Sequence, residues 1–194
     1  MPDNPPLILA SSSPYKRRLM RRLGVDFTTC SPNIAEVRRP GESPATMTRR
    51  LATEKAQAII EQVPYALVVG ADQTAALDDR LFGKPQTRRR AIAQLQALQG
   101  RTHHLITAVA LVGPDGDVHT STSTYEMVMR PLTTAQIELY VDKDEPFDCA
   151  GSYKIEEAGI RLFEATRGDD PTAIEGLPLT RVWSLLIEAG YSSR

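Results

Sequence analysis

The sequence predicts a mixed α/β fold: a twisted sheet with flanking helices and a long antiparallel hairpin. Three observations carry this. Short apolar runs alternate with helical patterns over the first hundred residues, beginning with residues 6–10 and then Tyr15, Leu19, Met20 and Leu23, which is the order of βαβ units. Two long strand-like stretches, 105–112 and 118–130, flank Gly113-Pro114-Asp115-Gly116, a strong hairpin turn. No repeat, low-complexity tract or linker divides the 194 residues, so residues 1–194 are expected to form one domain.

Each element follows from its own signals. Residues 6–10 read as a buried strand. Ser13 can cap the helix that follows, and Pro14 suits its first turn. Gly24 ends that helix, and 25–30 reads as a second strand. Ser43-Pro44 repeats the start signal. Met47, Leu51, Ile59 and Ile60 outline a helix to about Val63, with Pro64 at its exit. Residues 66–71 form the clearest buried strand and deliver Asp72 at its C-terminal end. Residues 74–82 read as a small hairpin turning at Asp78-Asp79. Thr87 opens a helix carrying Ile92, Leu95 and Leu98, stopped by Gly100. Thr133 or Thr134 caps a helix through Val141. Residues 159–165 read as a strand, and 178–188 as a closing helix ended by Gly190.

Composition excludes several classes. Lys and Arg total 23 against 24 Asp and Glu, a net charge of -1. This balance argues against binding nucleic acid or an anionic membrane through bulk charge. A chain of this size buries about 70% of its unfolded surface and needs no disulfide or structural metal. Two cysteines, Cys30 and Cys149, lack zinc spacing and make no disulfide framework. Residues 1–13 lack a basic n-region, and no stretch reaches the ~20 apolar residues of a membrane span. A cytosolic protein is expected.

Ligands of open α/β sheets sit at the C-terminal ends of strands. That rule selects the turn at 11–13 and Asp72. In Ser11-Ser12-Ser13-Pro14-Tyr15-Lys16 a strand ends, hydroxyls follow, and a helix opens with cations in its first turns. Helix N-termini suit phosphate, although a capped surface helix with solvated basic residues reads the same way. Asp72, directly after a buried strand, is a candidate metal ligand or general base, or merely caps a turn. Gly83-Lys84-Pro85 frames one ammonium, and Cys149-Ala150-Gly151-Ser152-Tyr153-Lys154 is a small-residue turn ending in another. An ordinary loop and a tight connection are the plain alternatives. Lys55, inside a helix, reads as solvent-exposed, Glu36 lies in an irregular segment, and His103, His104 and His119 read as strand residues. There is no P-loop, GxGxxG or GxSxG motif. The residue two after Asp72 is Thr74 rather than a second carboxylate, which disfavours covalent phosphotransfer.

Six segments in order resemble Maf-like proteins: residues 9–14, Glu54-Lys55-Ala56, Gly70-Ala71-Asp72-Gln73, Gly83-Lys84-Pro85, residues 149–154 and Gly176-Leu177-Pro178-Leu179. The resemblance spans nearly the whole chain. It implies an inosine-triphosphatase-like fold, often dimeric, and cleavage of a nucleoside triphosphate between the α- and β-phosphates with a divalent metal, Mg2+ or Mn2+. It implies Asp72 as the catalytic residue, Glu36 and Asp72 as metal ligands, and Ser11, Ser13, Lys16, Lys55 and Lys84 as triphosphate ligands. Tyr15, Gln73 and Lys154 resemble the branch that hydrolyses 7-methyl-GTP; the dTTP/UTP branch usually has Arg, Thr and Gln there. N7-methylated guanine is cationic, and an aromatic face such as Tyr15 attracts a stacked cation by ~0.5–2 kcal/mol. Two positions depart from the family: Lys16 stands where Arg is usual, and Ala35 where an Asp commonly precedes the Glu. Competing readings are a dTTP/UTP or broader pyrophosphatase, a nucleotide-binding regulator of cell division, and a DNA-binding protein using Arg17, Arg18, Arg21 and Arg22.

Overall fold

The computed structural model describes residues 4–192. Residues 1–3, part of the N-terminal stretch expected not to be a signal peptide, lie outside them. In chain order the main elements are β1 (Leu7–Ala10), α1 (Pro14–Met20), β2 (Thr28–Cys30), α2 (Pro44–Ile60), β3 (Leu67–Leu77), β4 (Arg80–Phe82), α3 (Arg88–Leu98), β5 (Thr102–Val112), β6 (Val118–Met129), α4 (Thr134–Asp144), β7 (Phe163–Arg167) and α5 (Leu179–Glu188). This is the mixed α/β class the sequence predicts. The strands pair in the order β2-β1-β3-β5-β6-β7, with β4 pairing on β3. Among the described residues no helix is long and apolar enough to cross a membrane, and neither cysteine forms a disulfide.

The described residues fall into two compact units. One contains the residues up to Asp72, Thr107–Ser123 and those from Asp170 onward; the other contains Gln73–Ile106 and Thr124–Asp169. The chain passes between them four times, inside β3, β5 and β6 and again between Asp169 and Asp170.

In the first unit β1 pairs in parallel with both β2 and β3, Ala10 lying opposite Cys30 and Gly70. Successive side chains of a strand point to opposite faces. Leu7 and Leu9 accordingly join Leu67, Val69, Leu19, Met20, Val182 and Leu186 in a core covered by α1 and α5. Ile8 and Ala10 join Val68, Ala56 and Ile59 under α2. Helix starts are set by local caps. Ser13 Oγ accepts from Lys16 N and Ser43 Oγ from Thr46 N, each with proline at the first helical position. Asp170, wholly buried, receives the amides and hydroxyls of Thr172 and Thr180, and so satisfies the first turn of α5.

In the second unit the C-terminal part of β3 forms a hairpin with β4, Ala75 opposite Phe82, turning at Asp78-Asp79 as expected. β7 pairs antiparallel with β6. Thr133 and Gln136 cap α4 reciprocally. α3 packs on α4, and Arg88 grips Asp142 with two hydrogen bonds of 2.6 and 2.9 Å.

Several expectations are corrected. Asp72 is not at the end of its strand: it is the sixth of the eleven residues of β3. The parallel partner β1 stops opposite Gly70, but β3 has β5 as its other neighbour and gains β4 as an antiparallel partner at Ala75–Leu77. The second strand is Thr28–Cys30 rather than 25–30, since β1 offers partners only to these residues. Residues 159–165 are not one strand. A 3-10 turn covers Ala158–Leu162 and β7 begins at Phe163. Gly159 folds back onto the Lys154 backbone so closely that a Cβ would sit 2.3 Å from the Lys154 carbonyl oxygen. The helix at Pro44 stops at Ile60 rather than near Val63, and the one after Thr133 runs on to Asp144.

Candidate active site

The site in the first unit starts from a glycine. Gly70 on β3 lies so near α2 that a Cβ there would meet the Ala52 carbonyl oxygen at 2.1 Å and the Ala56 amide at 2.9 Å. Only a residue without a side chain permits that approach. It brings Lys55 within reach of Asp72. Lys55 Nζ donates to Asp72 Oδ1 at 2.5 Å and lies 2.7 Å from Glu36 Oε1. Lys55 is 7% exposed and Asp72 6%, while the Glu36 side chain is 56% exposed. Solvent exposure, the expected fate of Lys55, is thus overturned: two carboxylates compensate its charge. Burial works against the ammonium, but Asp72 and then Glu36 offset this and hold its pKa above the ordinary 10.5.

Glu36 belongs to an irregular segment between β2 and α2 that is tied down by ion pairs. Arg50 on α2 binds both oxygens of Glu42 at 2.5 and 2.7 Å, Glu54 at 3.0 Å and the Val37 carbonyl at 2.9 Å. Arg39 reaches back to Glu54 at 2.8 Å. The hydrogen bond from Arg50 holds the Glu42 carboxyl down to about pKa 2. This bracket was not anticipated from sequence. Its one local signal is the four-residue spacing of Arg50 and Glu54 on a helix.

Lys16, on α1, donates to the Ala71 carbonyl at 2.7 Å, so its ammonium lies against the strand that carries Asp72. Ser11 Oγ accepts from Ser13 N at 3.1 Å, and Ser13 Oγ caps the Lys16 amide at 3.4 Å. Tyr15 is half-buried, with the Arg18 guanidinium 5.9 Å from its ring centroid; Arg18 also pairs with Glu175 at 3.0 Å.

Gln73, Lys84 and Lys154 lie in the second unit. Gln73 is half-buried on β3, and Lys84 is exposed in the loop after β4, where Gln94 Nε2 donates to the Gly83 carbonyl at 3.1 Å. Lys154 is held at three points. Its amide donates to the Tyr140 hydroxyl at 2.9 Å, its ammonium donates to the Asp144 carbonyl at 2.8 Å, and its own carbonyl accepts from Gly159 N at 3.0 Å. The ammonium thus sits at the C-terminal end of α4, where a cation is favoured. His103, a strand residue as expected, is buried, and its Nε2 shares a 3.0 Å hydrogen bond with the Tyr153 hydroxyl.

The structure therefore brings Glu36, Lys55 and Asp72 into direct contact and lays Lys16 along the same strand. Among the described residues no cluster of three or more His, Cys, Asp or Glu forms a metal cage. The Asp72 and Glu36 carboxylates, both on Lys55, are hard oxygen donors of the kind a divalent cation takes one or two at a time, with water and substrate phosphate completing its shell. Chemically, a buried carboxylate fixed by an ammonium can accept a proton from water, and the surrounding cations can neutralise an anionic substrate.

Residues 6–189 match the family model of Maf-like proteins. The chain is 49% identical over 187 residues to the 7-methyl-GTP pyrophosphatase of Xanthomonas oryzae pv. oryzae strain MAFF 311018, covering 96% of this chain and 98% of that one. It is 43% identical over 191 residues to the protein of the same name from Nitrosococcus oceani, covering 98% and 96%. Among solved structures it resembles the Ham1 protein of Staphylococcus aureus, with a TM-score of 0.52 at 14% identity over 94% of this chain and 98% of that one. That last likeness is one of fold.

Proposed function

The chain belongs to the Maf-like protein family, and from this premise we propose that it is a nucleoside triphosphate pyrophosphatase acting on 7-methyl-GTP. The observation that carries the reading is the buried Lys55 ammonium bridging Asp72 and Glu36. It supplies a fixed carboxylate base, and the Lys16 ammonium against the same strand adds a cation for phosphate. The names borne by relatives at 49% and 43% identity support the substrate, together with Tyr15, Gln73 and Lys154. The reading keeps residues 1–194 as one catalytic domain, since β3, β5 and β6 each run through both units. A homodimer in the cytosol, binding neither nucleic acid nor membrane, goes with it.

In the reaction, Asp72 takes a proton from a water molecule as the water oxygen bonds to the α-phosphorus. The bond from the α-phosphorus to the α–β bridging oxygen breaks, and pyrophosphate leaves with the electron pair. The products are the nucleoside monophosphate and pyrophosphate. Lys16, Lys55 and Lys84, with Ser11 and Ser13, hold the triphosphate oxygens. Lys55 also fixes the direction of the Asp72 carboxylate. Tyr15 offers its ring face to the cationic base; that ring already faces the Arg18 guanidinium, so its setting accepts positive charge. Gln73 and Lys154 discriminate among bases. Asp72 and Glu36 would hold a divalent cation, Mg2+ or Mn2+, which when bound supplies further neutralisation of the triphosphate charge.

The test is pyrophosphate release from 7-methyl-GTP, GTP, dTTP, UTP and CTP, with Mg2+ or Mn2+ and with chelator. 7-Methyl-GTP is expected among the best substrates, with turnover dependent on the metal, and Asp72→Asn is expected to fold yet release no pyrophosphate. Preference for dTTP or UTP overturns the substrate. Full activity of Asp72→Asn overturns the base.

A further inference from the structure

His103 is a buried titratable side chain for which the reaction above has no use. It lies on β5 with no measurable exposure, and its neighbours are rings: Tyr153 at 5.7 Å between centroids and Phe163 at 6.0 Å. Its Nε2 shares the 3.0 Å hydrogen bond with the Tyr153 hydroxyl, while its buried Nδ1 has no hydrogen-bond partner. Burial, aided by the adjacent His104, lowers its pKa to about 4. It is therefore neutral at physiological pH, and the hydrogen bond does not depend on an imidazolium.

A Leu facing a Phe would fill this space with no polar atom to desolvate. The pair present instead hides a hydroxyl and an imidazole and leaves one ring nitrogen unsatisfied, a burial that is normally costly. What it gains is direction, because a hydrogen bond fixes the angle of the Tyr153 ring as apolar packing does not. That ring is gripped on other sides as well. Phe163 meets it edge-on at 4.9 Å. Gly151, at φ +74°, lies so near that a Cβ would fall 2.7 Å from a ring carbon.

Tyr153 directly precedes Lys154, whose amide, carbonyl and ammonium are all engaged. A tilt of the ring is passed through one peptide to the Lys154 backbone. We propose that His103 is a positioning residue for substrate selection: its hydrogen bond to Tyr153 sets the backbone of the 149–154 loop and, through it, the place of the Lys154 ammonium. This rests on the reading of Lys154 as a selectivity residue.

The experiment compares wild type with His103→Leu, His103→Gln, Tyr153→Phe and the double variant His103→Leu/Tyr153→Phe. The first readout is the ratio of kcat/KM for 7-methyl-GTP to that for dTTP. The second is amide hydrogen exchange at Lys154. His103→Leu and Tyr153→Phe are each expected to lower the ratio about three- to tenfold, the worth of one hydrogen bond, and to speed exchange at Lys154. His103→Gln, whose side-chain amide can reach the same hydroxyl, restores both in part. The double variant is no worse than either single one. A stability loss alone lowers both substrates alike and leaves the ratio where it was. If His103→Leu does not fold, Tyr153→Phe, which removes one oxygen, decides. An unchanged ratio and unchanged Lys154 exchange in folded Tyr153→Phe overturn the proposal. Should wild type show no preference for 7-methyl-GTP, the substrate reading fails separately. Exchange at Lys154 then decides the positioning: acceleration upholds it and no change overturns it.

Discussion

Replacing Lys55 with Met keeps the linear side chain and removes the ammonium. In the wild-type protein Asp72 is 6% exposed and its Oδ1 receives Lys55 Nζ at 2.5 Å. Removing one partner of a buried ion pair costs about 3–5 kcal/mol, because the other charge remains desolvated. Glu36 is largely exposed and contributes less than ~1 kcal/mol. For a chain of this length each kcal/mol moves Tm by about 2–4 °C, so Lys55→Met should melt roughly 6–20 °C lower than wild type. The double variant Lys55→Met/Asp72→Asn removes both charges and should recover most of that loss. The sign of the pH dependence follows from the raised Lys55 pKa. The folded value lies above the unfolded one, so this stabilisation is whole below about pH 10.5 and fades only as pH rises through the folded value. The stability gap between wild type and Lys55→Met should be flat across neutral pH and close in alkali. Thermal and urea unfolding of the four proteins of the cycle measure all of this. A Lys55→Met variant within ~1 kcal/mol of wild type, or a double variant that loses the sum of both singles, refutes a buried compensating pair.

Two other substitutions probe the frame. Gly70→Ala puts a methyl 2.1 Å from the Ala52 carbonyl oxygen, so α2 must back away from β3; a loss of at least ~1–3 kcal/mol is expected, read as a lowered urea midpoint, with pyrophosphate release falling further than the folded fraction. Asp170→Asn turns one acceptor oxygen into a donor facing the Thr180 amide and should cost about 2–3 kcal/mol. Burial alone would raise the Asp170 pKa, but the hydrogen bonds from Thr180 and Thr172 outweigh it and the value is lowered. Its contribution is therefore present above about pH 3.8 and lost as pH falls through the folded value. Urea unfolding of wild type and Asp170→Asn should converge in that acid range.

The features legible in the sequence are those whose cause is local. Ser13-Pro14, Ser43-Pro44, Thr87 and Thr133 each announce a helix start through a cap that acts within three residues, and the unbroken apolar run at residues 6–10 announces a strand buried on both faces. What stays hidden is set by distant partners. β3 runs past Asp72 with β5 beside it and β4 returning to pair at Ala75–Leu77, which an apolar run ending near residue 71 does not announce. Lys55 looks like any helical lysine, and its burial is possible only because Asp72, seventeen residues on, meets it. Arg50 and Glu42 bracket the segment bearing Glu36 across a stretch with no periodic pattern. His103 has an ordinary place in a strand, and its hydrogen-bonded partner lies fifty residues away. The resemblance points to Asp72, Lys55 and Glu36 as residues; their mutual contact is a property of the fold.

The four crossings of the chain between units have an evolutionary consequence. A compact unit that is one continuous stretch of chain can be duplicated, swapped or fused by recombination at two points. Here Asp72, Lys55, Glu36 and Lys16 fall in one unit and Gln73, Lys84 and Lys154 in the other, yet neither unit is continuous. No single cut inherits the positions proposed to choose the base apart from those proposed to carry out hydrolysis. On that proposal, new substrate preferences in this architecture are acquired in place, by point substitution at positions such as 15, 73 and 154, and the proposed hydrolytic residues travel with every variant.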